Sequence, residues 1–192
     1  MGFLTRFVKK IEKVNKGEAS VDSLSEEMYI DSSEMLKENA SNQWQSIAQT
    51  IIVNAVKATN YSVERAFILI DFEKDAPTFD IFYQENHKII FWRELEEPDS
   101  QRVIETQLLT QAQEVVQLIN KTFDEANLTK IRFAELQYKV ATGAWFSHII
   151  WSDSPGSNIN KNELLNGWFD LIKKIAPSQK VDSDSRLPWY PS

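Results

Sequence analysis

The stretch Ala66-Phe67-Ile68-Leu69-Ile70, followed by Phe72, restricts the fold of this chain more than any other. A strand without polar–apolar alternation is one covered on both faces, so Arg65–Glu73 is expected inside a sheet. Two further strand-like segments follow closely. Thr78–Tyr83, after a turn at Pro77, puts Phe79, Ile81 and Tyr83 on one face. Lys88–Arg93, after the turn Glu85-Asn86-His87, puts Ile89 and Phe91 on one face and Ile90 and Trp92 on the other. Connections this short predict an antiparallel meander. A second hairpin is expected from Lys130–Lys139 and Ala144–Ser152, turning at Ala141-Thr142-Gly143, where Gly143 suits a positive φ.

Helical periodicity flanks these strands. Trp44, Ile47, Ala48, Ile51, Ile52 and Ala55 lie on one face of a helix that Ser41 or Asn42 can cap. Ile104, Leu108, Val115, Ile119 and Phe123 mark a long helix beginning at Asp99 or Ser100, long enough to cross a sheet. Asn160 followed by Glu163 resembles a capping box ahead of the stripe Leu164, Leu165, Trp168, Ile172 and Ile175. The predicted fold is therefore α+β: a five-stranded, mostly antiparallel sheet with helices on a face, in the order α-βββ-α-ββ-α.

This body spans residues 41–177 and carries appendages. Residues 1–16 place Phe3, Leu4, Phe7, Val8, Ile11 and Val14 among lysines at the spacing of a basic amphipathic helix, capable of weak contact with an anionic membrane surface. Apolar residues interleaved with lysines do not read as a signal peptide. Residues 17–40 form an acidic linker with room for a short helix near Ser33–Lys37. Residues 178–192 form a polar tail until Leu187-Pro188-Trp189-Tyr190, which either docks on the body or stays free.

Composition narrows the chemistry. The 192 residues include no Cys and 2 His, which excludes thiolate metal sites, disulfides and thiol nucleophiles and disfavours a multi-histidine metal centre. No cofactor or metal is expected. The formal charge is −7, yet residues 1–17 carry five basic side chains against Glu12, so the remainder is more acidic still. Such a balance disfavours direct nucleic-acid binding and favours basic partners. No stretch of about 18 apolar residues occurs, so no spanning helix is expected and the default location is the cytoplasm. The five glycines stand alone, without a phosphate-cradling loop, and neither GxSxG nor HExxH occurs.

Few candidate site residues stand out. His87 falls in a turn among charged neighbours and His148 falls in mid-strand; both read better as a surface and a satisfied histidine than as general bases. Asp71, Glu73, Asp75 and Asp80 form an acidic set on the first hairpin. Glu94, Glu96, Glu97 and Asp99 form an acidic lip able to meet Lys or Arg on a partner, although acids also favour the start of the following helix. Trp92 and Trp151, on strands, are the aromatic anchors that could flank such a lip. These six residues are the predicted partner-binding set, and no catalytic residue is assigned.

The helix that opens with Gln43-Trp44 and continues Ile47-Ala48-Gln49-Thr50-Ile51-Ile52, the three strands after it, and the hairpin running from Leu128-Thr129-Lys130-Ile131-Arg132-Phe133 to Gly143-Ala144-Trp145-Phe146 together resemble the YezG-like bacterial immunity proteins, over about residues 42–175. The resemblance implies a cytoplasmic, acidic antitoxin of interbacterial competition that occludes a protein toxin, often a basic nuclease, and is not an enzyme. The same element order also resembles the acidic secretion chaperones, which hold an effector segment. A small enzyme of unknown chemistry is the third class.

Overall fold

Strand β1 (Arg65–Asp71) is the centre of the five-stranded sheet in the computed structural model, which describes residues 32–73, 76–125, 127–154, 158–178 and 186–190. All its residues are buried, as its unbroken apolar run requires. Its neighbours are β2 (Thr78–Glu85) and β4 (Ile131–Lys139); β3 (Lys88–Phe91) and β5 (Trp145–Trp151) are the edges, giving the spatial order β3-β2-β1-β4-β5. Every pairing is antiparallel.

Alternate β1 side chains feed two separate cores. Ala66, Ile68 and Ile70 join a cluster with Trp44, Ile47 and Ile51 of α1 (Ser32–Lys57) and with Val115 and Ile119 of α3 (Leu109–Glu125). Phe67 and Leu69 join Leu164, Trp168 and Ile172 of α4 (Lys161–Ile175) on the opposite side. The protein is thus layered helices–sheet–helix, and the helices cover both faces where the sequence predicted one. The reason lies in β1: two apolar faces both need a cover, and burying a side chain such as Phe67 is favourable by about 1.5–3 kcal/mol. On the α4 side, Phe67 stacks on Phe82 at 4.9 Å, and Trp168 meets Phe82 edge-on at 5.0 Å.

The element order α-βββ-α-ββ-α is the expected one, with three boundaries moved. Helix α1 begins at Ser32, so Ser41 and Asn42 lie within it and cap nothing; Ala40, fully buried, extends the Trp44 stripe by a turn and carries the helix into the expected linker. The basic helix of residues 1–16 and the linker up to residue 31 lie outside the described residues. Strand β3 stops at Phe91, before Arg93. There the Glu94 carboxylate accepts the Phe91 N–H at 2.7 Å and closes a 3-10 turn, Trp92–Glu94. The long helix starts at Pro98, where the missing N–H costs nothing. It runs through α2 (Pro98–Val103) and a π-helical stretch, Ile104–Leu108, directly into α3. The Asn160 cap forms as expected, its side-chain oxygen accepting the Glu163 N–H at 2.9 Å. Among the described residues no helix is long and apolar enough to cross a membrane.

Candidate functional site

The acidic lip lies beyond edge strand β3. Glu94, Glu96, Glu97 and Asp99 are all exposed. Their surroundings differ. Glu94 is tied to the backbone of Phe91, and Asp99 pairs with Arg102 at 3.0 Å within the first turn of α2. Glu96 faces the end of β2, where Glu85 sits half-buried. Burial pushes the Glu85 carboxyl above its ordinary range; a hydrogen bond from the Glu96 backbone opposes this, and the Glu96 charge adds to it. The lip therefore holds two partnered carboxylates, Glu94 and Asp99, and one, Glu96, beside a second carboxyl.

The two predicted anchors separate. Trp92 is 4% exposed and belongs to the helix-side core, with the Arg93 guanidinium 4.2 Å over its ring. It follows β3 in a 3-10 turn and packs on the same helix-side core as Ile90, so it is a core residue and no surface anchor. Trp151 is half-buried at the end of β5, on the far edge of the sheet from the lip. There it packs 6.0 Å from Phe123 and lines an apolar cleft of about 430 Å³ with Ser41 and Leu128. The sequence reading placed these residues in one set; the fold places them at opposite edges.

The first-hairpin acids are individually partnered. Asp71 accepts the Glu73 N–H, Glu73 pairs with Arg132 at 2.7 Å, and Asp80 pairs with Lys161 at 2.7 Å. Asp75 lies outside the described residues. Glu73 and Arg132 also line a polar cleft of about 550 Å³ that is flanked by a second pair, Lys130–Asp124 at 2.9 Å. His87, with positive φ in the β2–β3 turn, lies at the surface 3.3 Å from Glu64, as the sequence suggested.

A second constellation lies on the α4 face of the sheet. Glu135 of β4 is 0% exposed, and its carboxylate lies 2.8 Å from Nδ1 of His148, its cross-strand partner on β5. Burial pushes the Glu135 carboxyl up, against the opposing pull of His148 and the Tyr190 N–H. Residues 186–190 cross this face as a strap. Gln137 grips Leu187 twice, donating to its carbonyl and accepting its N–H, each at 2.9 Å. Trp168 donates to the Pro188 carbonyl at 3.2 Å. Trp189 stacks on the His148 ring at 5.5 Å, and the Tyr190 ring lies against Gly167, where a Cβ would collide with it.

A carboxylate orienting an imidazole is the arrangement that supports general-base histidines. Here the imidazole lies under Trp189 and the carboxylate also receives the strap, so the pair fastens a segment of chain. Among the described residues no three His, Asp or Glu side chains are grouped to hold a metal ion.

Sequence reasoning found His148 and the docked tail as alternatives and missed Glu135, Gln137 and Gly167. A signal was present. Glu135 and Gln137 share strand parity with Phe133, so two polar side chains fall on an apolar face and require partners there. No family model matches the chain, and no curated protein matches it.

Proposed function

We propose that this chain is a protein-binding immunity protein that occludes a cognate, basic bacterial toxin. The observation that supports the reading is the exposed lip Glu94, Glu96, Glu97 and Asp99, with Glu96 beside a fifth carboxyl, Glu85, on a chain of net charge −7. Charge of one sign speeds encounter with a partner of the other and sets its orientation. The 3-10 turn Trp92–Glu94 and the start of the long helix at Pro98 flank the lip on either side.

The test is a complex with the basic polypeptide encoded beside this chain. Association slows as salt rises, because steering is screened over about 10 Å at 0.1 M. Reversing Glu94, Glu96 and Glu97 together weakens the complex. Salt-insensitive association, or unchanged affinity in the reversal variant, would remove the lip from the interface.

A second reading, an acidic secretion chaperone, draws support from the half-exposed apolar strand β5, which suits an extended effector segment. A neighbouring gene for a secreted effector instead of a toxin would favour it.

A further inference from the structure

The two edges of the sheet are protected very differently. Edge strand β3 has four residues, starts with exposed Lys88 and ends in the 3-10 turn. Short length and an edge lysine are devices that block strand addition. Edge strand β5 has seven residues, Trp145-Phe146-Ser147-His148-Ile149-Ile150-Trp151, with no Lys, Arg, Asp, Glu, Pro or Gly. Six of the seven are half-exposed. In a chain of net charge −7, this is an edge that meets its own kind without repulsion.

The hydrogen-bonding direction of β5 follows from one bond. The Lys139 N–H donates to the Ala144 carbonyl at 2.8 Å, and residues pair across β4 and β5 in the same register from Tyr138↔Trp145 to Phe133↔Ile150. Hydrogen-bonded pairs alternate along an antiparallel ladder. Phe146, His148 and Ile150 therefore spend their backbone groups on β4, and the N–H and C=O of Trp145, Ser147 and Ile149 point away from it. Among the described residues no strand lies on that side.

The sequence of β5 is also self-complementary. An antiparallel pairing of two copies centred on His148 sets Trp145 opposite Trp151, Phe146 opposite Ile150 and Ser147 opposite Ile149. Opposed residues then share a face, and the outward-pointing groups of Ser147 and Ile149 form the hydrogen-bonded pair. On the helix side, Trp145 of the second copy arrives beside Trp151, where the 430 Å³ apolar cleft lies. Cross-strand aromatic pairs of this kind are favourable by roughly 0.2–1 kcal/mol each.

We infer that two copies of this chain join through β5, antiparallel about His148, into one ten-stranded sheet. The inference is independent of the proposed function: the acidic lips, at the β3 edges, stay free at the two outer ends.

The test measures the solution mass of the full chain by light scattering after gel filtration. The expected mass is twice 22.2 kDa. A single-chain mass at high micromolar concentration would overturn the inference. Two variants probe the edge. F146K puts an edge lysine at a side chain outside both core clusters. I149P removes an N–H that points away from β4, a kind of strand position at which proline leaves the existing ladder intact. Both are expected to halve the mass while the circular dichroism of the fold persists. A dimer that survives F146K places the interface elsewhere, whatever becomes of I149P. The chain has no Cys, so mixing equal amounts of S147C and I149C chains reports the register: the mixed disulfide should make up far more of the cross-linked product than the half that random pairing gives. A mixed share at or below half would overturn the His148-centred pairing.

Discussion

The Glu135 carboxylate, fully buried, lies 2.8 Å from His148 Nδ1, and the ring of His148 in turn carries Trp189. A carboxyl is held inside the sheet by one neighbouring strand and by the strap that closes over it. The stability of the strap and the protonation of Glu135 are therefore linked.

That linkage has a sign. Burial raises the Glu135 carboxyl above its ordinary value of 4.5. A carboxyl with a raised folded value stabilises the fold most below 4.5 and loses that contribution as pH rises through its folded value. Glu135→Gln keeps a polar, hydrogen-bonding side chain and removes the ionisation. Denaturant midpoints of the two proteins should move apart as pH rises from 4.5, in favour of Gln. A gap that does not change with pH would show that Glu135 does not titrate in that window.

Gly167 leaves room for the Tyr190 ring in the middle of α4. Gly167→Ala gains helix propensity but forces the ring out, a net loss of about 1–3 kcal/mol typical of overpacking. In a Tyr190→Ala background the same Gly167→Ala change should lose its penalty and show only the gain in propensity. Thermal melts of the single and double variants measure the coupling, and additive effects would contradict the contact.

These two positions show where sequence reading reached its limit. The burial of β1, the Asn160 cap and the long helix were legible because each depends on residues near one another in the chain. Helices on both faces were not inferred, although β1 alone required them. Strand parity placed Trp92 on the face of Ile90, as found; what it could not tell is that this face is covered by the helices, which makes Trp92 core and not a surface anchor. Of the partner-binding set, the exposed acids were legible as a cluster. Their separation from Trp151 depends on spatial strand order, which a linear pattern does not contain. Gly167 and Gln137 acquire their roles only from a strap docked some 20 to 50 residues further along.

The lip residues should divide by function. Glu94→Gln weakens the carboxylate that caps the 3-10 turn and is expected to lower stability by about 1 kcal/mol. Glu96→Gln removes a charge beside Glu85 and should let the Glu85 carboxyl fall toward its ordinary range. Carboxyl titration by NMR reads the second effect and chemical denaturation the first. An unmoved Glu85 in the Glu96→Gln protein would show that the two charges do not interact.

Tyr83 is fully buried and donates its hydroxyl to the Ala55 carbonyl at 3.0 Å, tying β2 to α1. Burial pushes its ionisation far above the ordinary value of 10.0. Spectroscopic titration should find Tyr83 silent until the protein unfolds in alkali. Tyr83→Phe should cost about 0.5–1.5 kcal/mol, the net contribution of one such bond.

The widened turn at Ile104–Leu108, where the Leu109 N–H reaches back five residues to the Ile104 carbonyl, means that the long helix carries one residue more than a regular spiral needs. The apolar stripe before the widening and the stripe after it both reach the core because the widened turn absorbs that surplus residue. Shortening the chain by one residue within this turn would yield an ordinary helix with both stripes still in phase, whereas a regular helix that kept the surplus residue would have its second half rotated by about 100°. Length changes in the family of sequences that fold this way should therefore cluster at this turn and spare the rest of the helix.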